Sequence, residues 1–588
     1  MRLFGKKPQG TQQQISDPGS SIYLGRYLDL TNKTSGTELS YDGERHLLLF
    51  GPNGSGKGTR LLVSNLLRLR DRSVVVIDPK GELTAITADY RRSIGDVVVL
   101  NPFDVLDLGG SGFNPLASLD PDVPTFVDDA AGIGEALIKI EDKDPHWSES
   151  AQSLLVALIM WEVQEAKREG RTPLLENVRR MLTEPNEYER DEDGKNKLVK
   201  GLRFTAAKMA AMGGFEIESL VGRFLRDSDE IASIQSTADR QTNWMLSPLM
   251  RANMAKNDID FADLKKRPIT VYLILPAERM RTHSVWLRLV IVSALRALYK
   301  PGGVRALFML DEFAQLGHLA PIEDAFGLVR GYGVQLWPVL QDLNQLKALY
   351  KDRWETFVGN AGVVQGFAPN DLTTAEWMSR RAGETTVAAA AYNRGDAQSS
   401  AGHGSMSQSS GLSYSQARRP LFLPQELMDF REGSGLLWPA GTSKSVPFLA
   451  PSYWQVPELQ SRAQNNPYYQ SATTPPARAQ VPAPASGRTN KLVTGAQAIA
   501  IKSAPHIKRG AAWAATNTVK VARWAAETAA RELPPLMRRL QAFALQCARV
   551  IRDQFNKSRQ TSPRLEPLAE HEKLGPPVEA GRDASESE

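Results

Sequence analysis

The stretch HLLLFGPNGSGKGTR, residues 46–60, decides how the rest of the chain is read. An apolar run meets a glycine-rich turn, and a helix-like segment, KGTRLLVSNLLRLR (57–70), follows. A glycine-rich loop between a strand and a helix points backbone N–H groups at a phosphate, and the helix N-terminus adds partial positive charge. Such loops follow G-x-x-x-x-G-K-[ST]. Gly51, Gly56 and Lys57 satisfy the pattern, with Pro52, Asn53, Gly54 and Ser55 filling the turn. Lys57 is then the residue that reaches the β- and γ-phosphates. Gly58 stands where a hydroxyl is expected, and Thr59 comes one place late. One residue along an α-helix rotates a side chain by about 100°, so Thr59 cannot simply take the usual position. The bland alternative is a glycine-rich turn before a helix; the apolar strand in front weighs against it.

A nucleotide site of this kind also needs a carboxylate-bearing strand that holds Mg²⁺ and orients water. ALFMLDEFAQLG (306–317) supplies one, its apolar residues running straight into Asp311 and Glu312. Asp311 is expected in the Mg²⁺ shell, with Thr59 as the candidate second metal contact, and Glu312 as the general base on water. A mere capping pair is the alternative. Glu312 favours hydrolysis, since a passive nucleotide sensor would not need it. VLQDLNQL (339–346) ends the next strand at Gln341, an amide able to report the γ-phosphate, or else a surface glutamine. Arg330, in GLVRGYG (327–333), reads equally well as a charge at a helix C-terminus or as an arginine finger.

At 588 residues the chain exceeds one core and is expected to form two or three units. Net charge is only +5, too mild to establish a nucleic-acid partner by itself. The sole cysteine, Cys547, excludes an intrachain disulfide and a cysteine-based zinc site. The N-terminus lacks the apolar segment of a signal peptide. No stretch approaches the roughly 20 apolar residues that span a bilayer. A soluble, cytoplasmic protein is therefore expected.

Residues 1–20 read as disordered. RHLLLF (45–50), SVVVID (73–78) and DVVVLNPF (96–103) are continuous apolar runs, the pattern of parallel strands buried on both faces. Residues 120–260 show helical spacing and no convincing strand, so they read as an inserted all-α domain. Strands resume with ITVYLIL (269–275), ALFMLDEF (306–313), VQLWPVLQ (334–341) and AGVVQGF (361–367). Blocks 21–119 and 261–455 are thus expected to complete one α/β sheet around the helical insertion. Within the second block, 391–417 is Ser/Gly-rich and reads as a flexible loop. Residues 464–489 read as a Pro-rich linker. In 490–560, Leu536, Leu540, Phe543, Cys547, Val550 and Ile551 form one helical stripe beside Arg538, Arg539, Arg549 and Arg552. This basic amphipathic region suits an anionic membrane surface, DNA phosphates, a partner helix or plain solvent. The tail 561–588 reads as disordered.

Five segments carry a wider resemblance: GPNGSGKGT (51–59), VVVIDPKGELTAITADYRR (74–92), VVVLNPF with FNPL (97–103, 113–116), the run LDEFAQLGHL…QDLNQL (310–346), and RRPLFLPQELMDF (418–430). In this order they resemble the VirD4/TraG coupling proteins of type IV secretion, over roughly residues 40–455. The resemblance implies a RecA-like phosphate-loop NTPase domain carrying an all-α domain, with ATP and Mg²⁺ bound between subunits of a hexameric ring. It implies a DNA-translocase type of ATPase at the cytoplasmic face of the bacterial inner membrane. Its partners would be relaxase-bound conjugative DNA, or protein effectors, and the channel components. Arg330 matches the family's intersubunit arginine, and Gln341 its strand-end glutamine. Asp78, Lys80 and Glu82 match a family segment near the site or central pore. Glycine after the loop lysine is common in the family. Many members begin with transmembrane helices, and none precedes the motor region here, so recruitment by a partner or by membrane contact of 490–560 is expected instead. Two other functions are compatible: a low-turnover adaptor that recruits substrates, and another hexameric DNA pump.

Overall fold

The computed structural model describes residues 19–30, 34–141, 144–226, 228–398 and 406–468. In chain order the strands are β1 (Ile22–Asp29), β2 (Thr34–Tyr41), β3 (His46–Phe50), β4 (Arg72–Ile77), β5 (Asp96–Leu100), β6 (Glu187–Arg190), β7 (Asn196–Lys200) and β8 (Ile269–Leu273). They continue with β9 (Arg305–Leu310), β10 (Val334–Leu340), β11 (Ala361–Phe367), β12 (Glu384–Gln398), β13 (Met406–Pro420), β14 (Ser434–Pro439) and β15 (Val446–Leu449).

The apolar runs become one 11-stranded sheet in the order β2-β1-β15-β14-β11-β3-β10-β9-β4-β8-β5. From β11 to β5 every neighbouring pair is parallel. Side chains alternate between two faces, as the strand period demands. Leu48, Phe50, Val75, Ile77, Phe308 and Leu310 enter one core. Leu47, Leu49, Val74, Val76, Leu307 and Met309 enter the other. Each face therefore needs a helical cover. Helix Glu82–Arg92 lies on the second face, through Leu83 and Ile86. Helix Ala277–Ala297 and the insertion lie on the first, through Trp286, Leu289 and Leu154. Residues 21–119 and 261–455 thus contribute to the same sheet.

Three expectations are corrected. The insertion is mainly helical, including Phe126–Leu137, Pro145–Glu169 and Asp229–Thr242, but it also holds an antiparallel hairpin of β6 and β7. Every β6 residue is exposed, so no apolar alternation announces it. Its turn is organised by Asp191, whose carboxylate accepts from the Asp193 and Lys195 N–H groups. Likewise 391–417 is not a flexible loop throughout. β12 and β13 pair antiparallel from Glu384↔Pro420 to Gln398↔Met406, and only the tip 399–405 lies outside the described residues. A local hairpin closes its ladder without an apolar face, so Ser/Gly composition does not reveal it.

The Pro-rich segment also begins later than 464. The Gln464 N–H donates to Ile86 O, Asn466 Nδ2 to Glu82 Oε1 and the Tyr468 hydroxyl to Lys80 O. Residues 464–468 therefore strap the chain onto the DPKGE element. The expected disorder at 1–18, the remaining linker, the amphipathic region 490–560 and the tail 561–588 lie outside the described residues. Among the described residues no helix is long and apolar enough to cross a membrane.

Candidate nucleotide site

The phosphate loop leaves the carboxyl end of β3 and is pinned to β10 by the Gly51 N–H, which donates to Leu340 O at 2.9 Å. Gly54 (φ 83°) and Gly56 (φ 81°) take the left-handed conformation that glycine alone adopts cheaply. At Gly51 an added Cβ would sit 2.8 Å from Ser55 Oγ and 3.0 Å from Lys57 Cγ, so the loop closes only around glycine. Lys57 is buried, and its Nζ donates to Gly51 O at 2.8 Å, folding the ammonium over the loop. Ser55 Oγ is buried without a hydrogen-bond partner. An anion in this cradle would satisfy both groups.

Residues Lys57–Leu62 form a π-helical turn before the short α-helix Val63–Leu66. A π turn is wider than an α turn and commonly marks functional positions. Within it the Thr59 hydroxyl donates to Gly56 O at 3.4 Å, so it faces back along the loop's own backbone. Gly58 has open space: the nearest atom to an added Cβ is Leu83 Cδ2, at 3.9 Å. Gly58→Ser is therefore expected to fold with unchanged or slightly raised thermal stability, because glycine inside a helix costs about 0.5–1 kcal/mol against alanine. A melting curve checks this. Normal melting with collapsed turnover would mean that bound phosphate approaches Gly58 too closely for any side chain.

β10 separates β3 from β9, so the carboxylates of Asp311 and Glu312 stand one strand away from the loop. Half-buried Asp311 accepts from the Glu312 N–H at 3.0 Å. Burial pushes its carboxyl up to about 7; Lys57 opposes the shift, and Glu312 and Asp78 add to it. Asp78 follows β4, where Ile77 pairs with Leu310, so the two aspartates leave neighbouring strands side by side. Asp78 Oδ2 accepts both the N–H and the hydroxyl of Thr84 at 2.7 Å, yet burial still raises it to about 6. The site thus concentrates negative charge that a cation would relieve.

Glu312 adopts φ 50°, an unusual conformation for a non-glycine residue, costing of order 1–3 kcal/mol. Its neighbours hold it there. Gln341 Nε2 donates to Glu312 Oε2 at 3.0 Å, Asn53 Nδ2 reaches Gln341 Oε1 at 3.5 Å, and the Gln341 N–H is held by Gln345 Oε1 at 2.9 Å. A polar relay therefore runs from the phosphate loop, through the end of β10, to the carboxylate expected to act on water. On the far side of Glu312, Arg288 clamps the following turn. Its buried guanidinium donates to Leu316 O at 3.1 Å and to Ala136 O at 3.1 Å, tying that turn to the helical insertion.

The fold brings Lys57, Asp311, Glu312, Gln341 and residues 51–59 to one edge of the sheet. It does not bring Arg330 there. Arg330 lies in the turn Val329–Tyr332, before β10 begins. The seven residues of β10, at about 3.3 Å each, put roughly 20 Å between it and Gln341 of its own chain. Three contributors were not singled out from the sequence with these roles: Asn53 as the relay's first member, Asp78 beside Asp311, and Arg288. Each acts through tertiary neighbours that spacing does not reveal.

The strand order, the loop after β3 and the carboxylates after β9 define a RecA-like phosphate-loop NTPase fold with an inserted helical domain. The chain belongs to the type IV secretory system conjugative DNA transfer family, whose model matches residues 6–473. It is 28% identical over 434 residues to the conjugal transfer protein TraG of Escherichia coli, covering 70% of this chain and 65% of that one. It is 27% identical over 410 residues to protein VirD4 of Rhizobium radiobacter, covering 66% of this chain and 56% of that one. The match thus spans less than two thirds of the length of either relative. Among solved structures, the bacterial conjugative coupling protein TrwBdeltaN70 superposes with TM-score 0.52 at 18% identity, covering 72% of this chain and 88% of that one. The plasmid coupling protein TrwB in complex with ADP and Mg²⁺ gives TM-score 0.51 at 17% identity, covering 73% and 89%.

Proposed function

We propose that this chain is an ATP-hydrolysing coupling protein that brings relaxase-bound conjugative DNA to a type IV secretion channel. The relay Asn53–Gln341–Glu312 beside Lys57 and Asp311 is the observation that carries the reading. A loop that only bound nucleotide would not need a carboxylate oriented from the phosphate side.

In this mechanism the N–H groups of residues 53–59, apart from that of Ser55, which donates to Pro52 O, and the Lys57 ammonium grip the phosphates, Lys57 exchanging its bond to Gly51 O for phosphate oxygen. Ser55 offers its unpartnered hydroxyl. Asp311 fits a Mg²⁺ shell: its carboxylate is poorly stabilised as it stands, and Mg²⁺ commonly takes one or two carboxylates plus phosphate and water. Thr59 lies on the same loop but faces Gly56 O, so it would have to turn to join that shell. Bound Mg²⁺ supplies charge neutralisation on the transferred phosphoryl group. Glu312 takes the proton of the attacking water. Gln341 couples the loop's occupancy to Glu312 orientation. Arg330 serves the site of an adjoining subunit in a homo-hexameric ring, at the cytoplasmic face of the inner membrane.

An ATPase assay on the purified full chain, with and without single-stranded DNA, tests the proposal. DNA-stimulated hydrolysis that Lys57→Ala abolishes is expected. Undiminished turnover in Lys57→Ala would remove the site assignment, and absence of turnover in the unaltered chain would leave the adaptor reading.

A further inference from the structure

The carboxyl edge of the sheet carries a second crevice. β4 passes to β5 through helix Glu82–Arg92 on one face of the sheet. Its neighbour β8 passes to β9 through helix Ala277–Ala297 on the other. Where adjacent parallel strands send their connections to opposite faces, a crevice opens at their carboxyl ends, the preferred ligand position in open α/β sheets. Here it forms a cavity of about 410 Å³ whose lining includes Lys80, Phe103, Glu278, Arg279 and Tyr468. These walls come from the loops after β4, β5 and β8 and from the strap at 464–468.

The lining has a definite chemistry. Lys80 and Arg279 are exposed and, among the described residues, neither carries an ion-pair partner. Glu278 is the single acid in the lining beside these two cations, and Asp78 and Glu82 stand close enough behind it to act on Tyr468. The Arg279 guanidinium lies 5.7 Å from the Phe103 ring centre, and His283 supports that ring edge-on at 5.3 Å. Tyr468, half-exposed, is anchored through its hydroxyl to Lys80 O at 2.7 Å. Two cations without an ion-pair partner among the described residues, beside two positioned aromatic rings, match a ligand with both a phosphate and a planar base.

We propose that this crevice binds one nucleotide unit of a single DNA strand, with the phosphate between Lys80 and Arg279 and the base against Phe103 and Tyr468. The inference rests on the DNA-transfer reading above and locates a contact that reading leaves open. Cations that neutralise phosphates release counterions, and aromatic faces take any unstacked base. A duplex keeps its bases stacked and offers the rings no face. Three strand spacings, roughly 14 Å, separate β3 from β4, so ATP and DNA do not compete. The crevice nevertheless adjoins the nucleotide site, because the wall Pro79–Lys80 begins one residue after Asp78, the neighbour of Asp311.

Fluorescence anisotropy with the full chain, a labelled oligothymidylate and a labelled duplex tests this. Lys80→Gln/Arg279→Gln is expected to weaken single-strand binding roughly tenfold and to flatten its salt dependence by about one unit of slope. Phe103→Leu, which keeps an apolar side chain in place, is expected to weaken it roughly tenfold with the salt slope unchanged. ATP binding is expected to persist in both, which verifies their fold. Single-strand affinity and salt slope unchanged in both variants would overturn the crevice while leaving the coupling reading intact. Equal losses on the duplex would overturn the single-strand assignment. An unaltered chain with no affinity for DNA would overturn both readings together.

Discussion

Replacing Glu312 with glutamine is expected to lower ATP turnover by about 10²–10⁴-fold while ATP affinity is retained. The substitution is close to isosteric, and its amide oxygen can still accept from Gln341 Nε2, which now lies 3.0 Å from Glu312 Oε2. The left-handed backbone at φ 50° is held by that bond and by the Glu312 N–H to Asp311 Oδ1, neither of which needs the carboxylate charge. The variant therefore loses basicity and keeps geometry. Steady-state turnover beside equilibrium ATP binding separates the two. Full turnover in Glu312→Gln would transfer the base role elsewhere.

Arg330→Ala should be comparably severe, since an arginine finger contributes about 10³–10⁵-fold in turnover, and ATP binding should survive. The position of Arg330 makes a sharper prediction than its loss alone. Its backbone turn precedes β10, whereas Gln341 follows that strand, so the two positions stand at opposite ends of β10 within one subunit. Mixed assemblies of Arg330→Ala and Lys57→Ala chains should then regain activity. At some interfaces an intact Arg330 from one chain would meet an intact Lys57 from the other. No recovery, in assemblies shown to contain both chains, would remove the trans role.

Much of the site was legible because its chemistry is local. The turn at 51–59 and the Asp311–Glu312 pair each sit at the end of an apolar run, and in a parallel sheet strand ends meet at one edge. Gln341 was legible as a strand-end amide, though not as the bridge it makes. What escaped was contact between residues far apart in sequence: Asn53 with Gln341, Asp78 with Asp311, Arg288 with the turn after Glu312. The two hairpins escaped for another reason. β6–β7 is exposed, and β12–β13 pairs an Ala-rich strand with a Ser-rich one, so neither shows the apolar alternation that betrays a half-buried strand.

By itself, the sequence determined the α/β class, the buried parallel strands in chain order, the phosphate loop and the carboxylates opposite it. Those follow from hydrophobic periodicity and from residue types whose chemistry acts over a few positions. Only the tertiary structure decided how GPNGSGKGTR is used. A π turn accommodates Gly58 and directs the Thr59 hydroxyl to Gly56 O. The tertiary structure also decided that the turn carrying Arg330 stands at the opposite end of β10 from Gln341, and that the connections after β4 and β8 leave a second crevice. These depend on sheet order and crossover direction, which are set by burying both faces of the sheet at once and are not written in any single stretch of chain.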